Sequence, residues 1–309
     1  MLVLVEAENV TLGYRNKTVF EGVTFHFAGG VAGLVGPNGA GKTTLIKSLL
    51  GFLRPRSGTI KVCGYEFPAG VRAARSRIGY LPEGEALIPE LTAVELVSYL
   101  AELSGLPSRE ATERAHTVLS YVGVGDLRYR KVDTYSAGMK QRVKLAQAIV
   151  HDPLLVLLDE PTDGLDPTGR VEMLELLKDL GHSKGINLII CTHLLDDVEF
   201  LADEIILINE GQIVSRKLRE RLVSNRLYDV RIRGDLERFL VGMEKNSLSL
   251  AAPAEGLSLR IAIPDTLEPA IVFRVAQDTG CVVTRLEPVV ETAADIVLGI
   301  LRENKHANL

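Results

Sequence analysis

The sequence predicts an α/β chain with a P-loop core, and three observations carry that prediction. The apolar run at residues 31–35 leads directly into Gly36-Pro37-Asn38-Gly39-Ala40-Gly41-Lys42-Thr43-Thr44, a glycine-rich loop that opens a helix. A second apolar run, residues 154–158, ends in the acid pair Asp159-Glu160. Continuous runs of this kind mark strands buried on both faces of a parallel sheet, and helical segments such as residues 171–180 alternate with them. Beyond about residue 225, short strands and helices follow one another in β-α-β-β-α-β order, which predicts a small α+β, ferredoxin-like unit after the core.

Taken in order, the start Met1-Leu2-Val3-Leu4-Val5 lacks a basic leader and meets Glu6, so it reads as a first strand rather than a signal peptide. Strand-like segments fill residues 2–28 and return at residues 58–65, as an antiparallel β subdomain would. Residues 91–151 are helical in pattern, with Thr92, Ser108 and Ser136 as capping candidates. Further core strands are expected at residues 188–191 and 205–208. In the last part, strands are expected at residues 228–233, 247–251, 257–263 and 281–286. Helices fall at residues 236–243 and 267–277, and a final one at residues 292–302. The division is therefore a nucleotide-binding domain over residues 1–225 and an accessory α+β domain over residues 226–309. Alternating apolar side chains in residues 257–263 are expected to pack the helix-free face of the small sheet against the core or a dimer mate.

The 309 residues, 46% of them hydrophobic, suffice for one large or two modest cores. A net charge of -5 argues against a surface built throughout to hold nucleic acid. Cys63, Cys191 and Cys281 are far apart and read as reduced, packed residues of a cytosolic protein. No apolar run is long enough to span a bilayer, so any membrane function is expected to come from another chain. The basic residues Arg216, Lys217, Arg219, Arg221 and Arg226 can touch anionic lipid or nucleic acid, but a solvated helix face is the commoner meaning of such a run.

The chemistry concentrates at the two apolar runs. Glycines let backbone N–H groups curl around phosphates, Lys42 reaches the β- and γ-phosphates, and the Thr43 hydroxyl can ligate magnesium. Asp159 is suited to hold magnesium, mostly through water, and Glu160 to polarise the water that attacks the γ-phosphate. One carboxylate alone would read as an acidic turn after a core strand, yet here Pro161-Thr162-Asp163-Gly164-Leu165-Asp166 follows. His193 can hydrogen-bond the γ-phosphate or the attacking water, although a lone histidine is more often structural.

With these motifs in hand, the chain resembles the ATP-binding subunits of ABC transporters over residues 1–220, and within them the drug- and sodium-exporting (ABC-2 type) branch. Tyr135-Ser136-Ala137-Gly138-Met139-Lys140-Gln141-Arg142 stands at the place of the family's signature motif, LSGGQ in its commonest form. The resemblance assigns Ser136, Ala137 and Gly138 to ATP across a two-fold dimer, and Tyr14 to the aromatic that stacks on adenine. It assigns Glu83 to the Q-loop position and the metal, Asp166 to the D-loop, and His193 to the switch histidine. Ala137, Met139 and Glu83 depart from the common glycine, glutamine and glutamine. The resemblance implies ATP and Mg2+ as ligands, and a homodimer that buries two ATP molecules between each phosphate loop and the opposing signature. It also implies a membrane-spanning permease as partner, export as the direction, and a cytoplasmic position on the inner face of the cell membrane. Nucleic acid is not an expected partner. The alternative is a soluble member of the family acting on nucleic acid or the ribosome, but the coiled coils, zinc inserts or second ATPase unit of such members are missing from the sequence.

Overall fold

The computed structural model describes residues 3–15, 17–37, 39–84, 86–209, 211–217, 226–255, 258–264 and 267–289, together with Ala294 and Val297. Two compact units divide the chain, the first reaching Arg216 and the second starting at Lys217. That division falls ahead of the boundary at residue 225 expected from the sequence.

In the first unit, β1 (Val5–Tyr14) and β2 (Lys17–Phe27) pair as an antiparallel hairpin. The strand β3 (Val31–Val35) and helix α1 (Lys42–Leu49) interrupt it before β4 (Ser57–Val62) and β5 (Tyr65–Glu66) complete a sheet of order β2-β1-β4-β5. After α2 (Val71–Arg75) comes β6 (Ile78–Leu81), a short strand that the sequence reading did not expect. It forms the edge of a second sheet with β7 (Leu155–Asp159), β8 (Asn187–Cys191), β9 (Glu204–Asn209) and β10 (Gln212–Lys217), in the order β10-β9-β3-β8-β7-β6. The β9, β3, β8, β7 and β6 pairings are parallel. Every residue of β3 and β7 is buried, which is why both read as unbroken apolar runs.

Alternate side chains of this sheet feed two cores. Leu155 and Leu157 join Leu34, Ile189 and Ile206 against α1 and the antiparallel sheet, whereas Val156 and Leu158 join Leu81, Leu188 and Ile190 against the helices. Those helices are α3 (Ala93–Leu103), α4 (Ser108–Tyr121), α5 (Ala137–Ile149) and α6 (Pro167–Lys178), with the shorter α7 (Leu195–Leu201). Thr92 caps α3 in a reciprocal box: its Oγ1 accepts from Glu95 N and Glu95 Oε2 accepts from Thr92 N. Ser108 is not a cap, because Pro107 takes that place and the Ser108 hydroxyl donates to Glu102 at 2.7 Å. Helix α6 starts earlier than residue 171, since Pro167 suits a first helical position whose N–H has no partner to lose.

The second unit comprises β11 (Arg226–Arg233), α8 (Leu236–Lys245), β12 (Ser249–Glu255), β13 (Ser258–Ile263), α9 (Ile271–Thr279) and β14 (Val282–Pro288). The antiparallel order β12-β13-β11-β14 is that of the ferredoxin-like unit the sequence predicts. Phe239 and Met243 from α8 and Val272 and Val275 from α9 bury Val230, Ile232, Leu259, Ile261 and Ile263. The apolar alternation of β13 is thus spent on the helices. On its opposite face Arg260 forks onto Asp229 at 2.9 and 3.1 Å and Arg231 donates to Ser258, with Ala262 the apolar residue of β13 there. Among the described residues, the larger apolar side chains of this strand therefore point to the helices rather than to the helix-free face. Leu257 and the expected helix at residues 292–302, apart from Ala294 and Val297, lie outside the described residues. Arg216 and Lys217 end a strand, and Arg226 opens one, so these three do not form a helix face; Arg219 and Arg221 lie outside the described residues. Among the described residues, no helix is long and apolar enough to cross a membrane.

Candidate functional site

Parallel pairing brings three strand ends to one edge of the central sheet. Leu34 of β3 and Asp159 of β7 both register with Cys191 of β8, so the phosphate loop, the acid pair and His193 leave the sheet side by side. Open α/β sheets place ligands at such C-terminal edges. The loop's shape depends on its glycines. A Cβ on Gly36 would stand 2.4 Å from the Ile208 carbonyl oxygen, and Gly41, at φ 113°, would press one against Phe20 and Val19. No side chain caps α1, so its first N–H groups are left for an anion. Lys42 folds back over the loop and donates to the carbonyls of Gly36 at 2.6 Å and Pro37 at 3.5 Å. Thr43 is exposed at the helix start and Thr44 is buried beneath it; Gly39 and Ala40 belong to the same turn, and Asn38 lies outside the described residues.

Asp159 is buried at the end of β7, and its carboxyl is held above the usual carboxylate range. Desolvation is the main cause, and the neighbouring charges of Glu83 and Glu160 add to it. A hydrogen bond with Cys191 and the charge of Lys42 work the other way. Burial, followed by the charge of Asp159, drives the Cys191 thiol far up, so it stays protonated. Glu160 turns the chain with a left-handed φ of 49°, uncommon for a residue with a side chain, while its N–H donates to the Cys191 carbonyl at 2.8 Å. That turn points its carboxylate at His193: Glu160 Oε2 lies 3.0 Å from His193 Nδ1, with the acid 13% and the imidazole 54% exposed.

Behind this pair lies a buried network that the sequence reading missed. The Asp197 carboxylate accepts from the Thr162 hydroxyl at 2.6 Å and from Arg170 Nε at 2.8 Å. It thereby ties the turn after Glu160, the start of α6 and the helix after His193 to one another. An aspartate in the first turn of a short helix looks solvated in the sequence, and nothing local signals that its partners come from two other segments.

The signature residues form a separate surface. Ser136 caps α5, its Oγ accepting from Met139 N at 3.4 Å, which leaves the hydroxyl proton to donate elsewhere. Val143, Ala146 and Val150 are buried along one stripe of that helix, with Met139 packed beside them. Ser136, Ala137 and Gly138 share an open depression of about 400 Å³ with Gly164 and Asp166, and no residue of the phosphate loop lines it. Tyr14 is exposed at the end of β1. Glu83 is exposed just past β6, near enough to Asp159 to act on its carboxyl. Among the described residues, no three His, Cys, Asp or Glu side chains form a ready metal cage. The donors present, two carboxylates and a threonine hydroxyl beside a phosphate cradle, fit magnesium, which keeps waters and takes phosphate oxygens as ligands.

A glycine-rich phosphate loop after β3 and an acid pair at the end of β7, two strands of an open parallel sheet with β8 between them, define a P-loop ATPase. The family described as ABC transporter matches residues 20–163. The linearmycin resistance ATP-binding protein LnrL of Bacillus subtilis (strain 168) is 36% identical over 265 residues, covering 84% of this chain and 85% of that protein. The Nod factor export ATP-binding protein I of Paraburkholderia xenovorans (strain LB400) is 34% identical over 224 residues, covering 72% of this chain and 73% of that protein. Among solved structures, the dimeric post-hydrolysis state of the ATP-binding cassette MJ0796 bound to ADP and Pi superposes with a TM-score of 0.63 at 26% identity, covering 70% of this chain and 99% of that one. The chain belongs to the ABC transporter ATP-binding proteins, and it is an ATP-binding, ATP-hydrolysing subunit. Family and fold agree with the expectation from sequence.

Proposed function

We propose that this chain energises export through a separate membrane-spanning permease, from a position on the cytoplasmic face of the cell membrane. The names of the relatives, one in export and one in resistance, support the direction. The observation that carries the chemistry is the 3.0 Å contact between Glu160 and His193 at the strand edge shared with the phosphate loop and Asp159.

In this reading the carboxylate of Glu160 accepts a proton from water as its oxygen attacks the γ-phosphorus. The bond from phosphorus to the bridging oxygen then breaks, giving ADP and phosphate. His193, 3.0 Å from Glu160, hydrogen-bonds the γ-phosphate or the attacking water. Lys42 exchanges its loop carbonyls for phosphate oxygens, the N–H groups of residues 39–44 cradle them, and Tyr14 stacks on the adenine. Bound magnesium would neutralise charge on the β- and γ-phosphates, and Thr43, Asp159 and Glu83 would hold it there. Ser136, Ala137 and Gly138, with Asp166 beside them, meet the γ-phosphate of ATP bound to the opposite chain of a head-to-tail homodimer. The separation of this surface from the chain's own phosphate loop supports that arrangement. Residues 226–309 act as an accessory domain that supports assembly or regulation.

Glu160→Gln tests the reading. It is expected to keep ATP binding, lower phosphate release at least about a hundredfold and accumulate an ATP-bound dimer on size-exclusion chromatography. Hydrolysis near the parental rate would refute the assignment.

A further inference from the structure

Lys144 is a cation in the middle of α5 with only 5% of its surface exposed, between the fully buried Val143 and Leu145. Burying an ammonium is costly unless its donors are used. Here Nζ donates to three successive carbonyls, those of Pro82 at 2.9 Å, Glu83 at 3.4 Å and Gly84 at 3.1 Å. These belong to the segment leaving β6, whose Leu81 pairs with Leu158 of β7, one residue before Asp159. The same helix begins at Ser136. One side chain therefore fastens the backbone around Glu83 to the helix that carries the signature, and it is the backbone rather than the Glu83 carboxylate that these bonds grip. Pro82 further narrows the conformations open to this stretch. The Glu83 charge is felt at Asp159, so a shift of this segment would alter the charge around that carboxyl.

We propose that Lys144 is a positioning residue for magnesium-dependent ATP binding: its clamp on residues 82–84 holds the Glu83 carboxylate toward the Asp159 end of the sheet. Metal affinity then depends on how α5, and with it the signature, sits against the core. The inference rests on the reading of Glu83 as a residue of the metal site. A lysine with a purely structural role would set stability and leave the magnesium requirement alone.

The test is equilibrium binding of a fluorescent, non-hydrolysable ATP analogue to the full chain, titrated with MgCl2 and repeated in EDTA. Lys144→Met is expected to raise the half-saturating magnesium concentration about tenfold, while leaving affinity in EDTA within about twofold. In a Glu83→Ala background it is expected to add nothing further, because both changes act through one carboxylate. A folded Lys144→Met chain with the parental magnesium requirement overturns the proposal, as does a full additional shift on top of Glu83→Ala. If circular dichroism shows that Lys144→Met does not fold, Lys144→Gln, which keeps one amide donor group, carries the comparison; a smaller shift of the same sign is expected, and none overturns the proposal. A magnesium requirement unchanged by Glu83→Ala would instead remove the reading of Glu83, and the Lys144 inference with it.

Discussion

The two units bury different kinds of side chain. Every buried polar or charged residue among those described falls in the first unit, including Lys144, Asp159, Thr162 and Asp197. Among its described residues the second unit buries only apolar side chains and keeps charges such as Arg260 and Asp229 half-exposed on its sheet. Both have a well-formed core, so the difference does not lie in folding alone. Buried polar groups cost stability unless they are matched by partners. In the first unit Thr44, Asp159, Thr162, Thr192 and Asp197 lie at or just beyond the ends of β7 and β8 and at the start of α1, where fixed charge and orientation serve a reaction.

The comparison can be tested from the largest effect down. Phe239→Ala, in the core of the second unit, is expected to cost that unit about 4 kcal/mol in chemical denaturation and to leave nucleotide affinity unchanged. A matching loss of ATP binding would mean that the units do not divide the work. Asp197→Ala in the first unit is expected to cost about 3 kcal/mol, the low end for a broken buried pair because Arg170 remains 32% exposed. ATP turnover should fall with it, and Asp197→Asn, able to accept from Thr162, should recover part of both. A destabilised Asp197→Ala chain with full turnover would make the network purely structural.

Titration supplies a third, smaller contrast. Burial lowers the pKa of His151 below its ordinary 6.5, against a hydrogen bond to the Ile78 carbonyl at 3.1 Å. Below pH 6.5 the unfolded chain therefore takes up more protons than the folded one. Stability from this group is complete above 6.5 and is lost as pH falls through the folded pKa. The melting midpoint of the first unit should drop over that window, and His151→Leu should flatten the drop; an unchanged slope would refute the role. At the small end, Arg260→Ala removes a half-exposed pair and should cost the second unit less than about 1 kcal/mol, fading with salt. A larger cost would mean that the polar sheet face carries more than a solvated ion pair.

What could be read from the sequence follows the same contrast. Contiguous features were plain: the glycine loop, the apolar run ending in Asp159-Glu160, the Thr92 cap and the β-α-β-β-α-β order. Features assembled across the chain were not. The strand β6 has four residues, one of them Gly79, and becomes a strand only by pairing with β7. Lys144 sits in a helical pattern where a lysine normally faces water, and its three acceptors lie about sixty residues away in sequence. Asp197, Thr162 and Arg170 come from three segments in the same way. In the second unit, alternation along β13 is legible in the sequence, but which face takes its larger apolar side chains is not. The face toward α8 and α9 takes the apolar residues, and that choice is set by helices remote in sequence.

The most direct measurement is ATP affinity of the chain truncated after Ser224, set beside that of the full chain. If buried polar groups of the first unit alone form the nucleotide site, the truncated chain, folded by circular dichroism, binds ATP within about threefold of the full chain, less than the factor of ten that 1.4 kcal/mol represents. Loss of nucleotide binding by a folded truncated chain would place part of the site in the second unit and contradict the account.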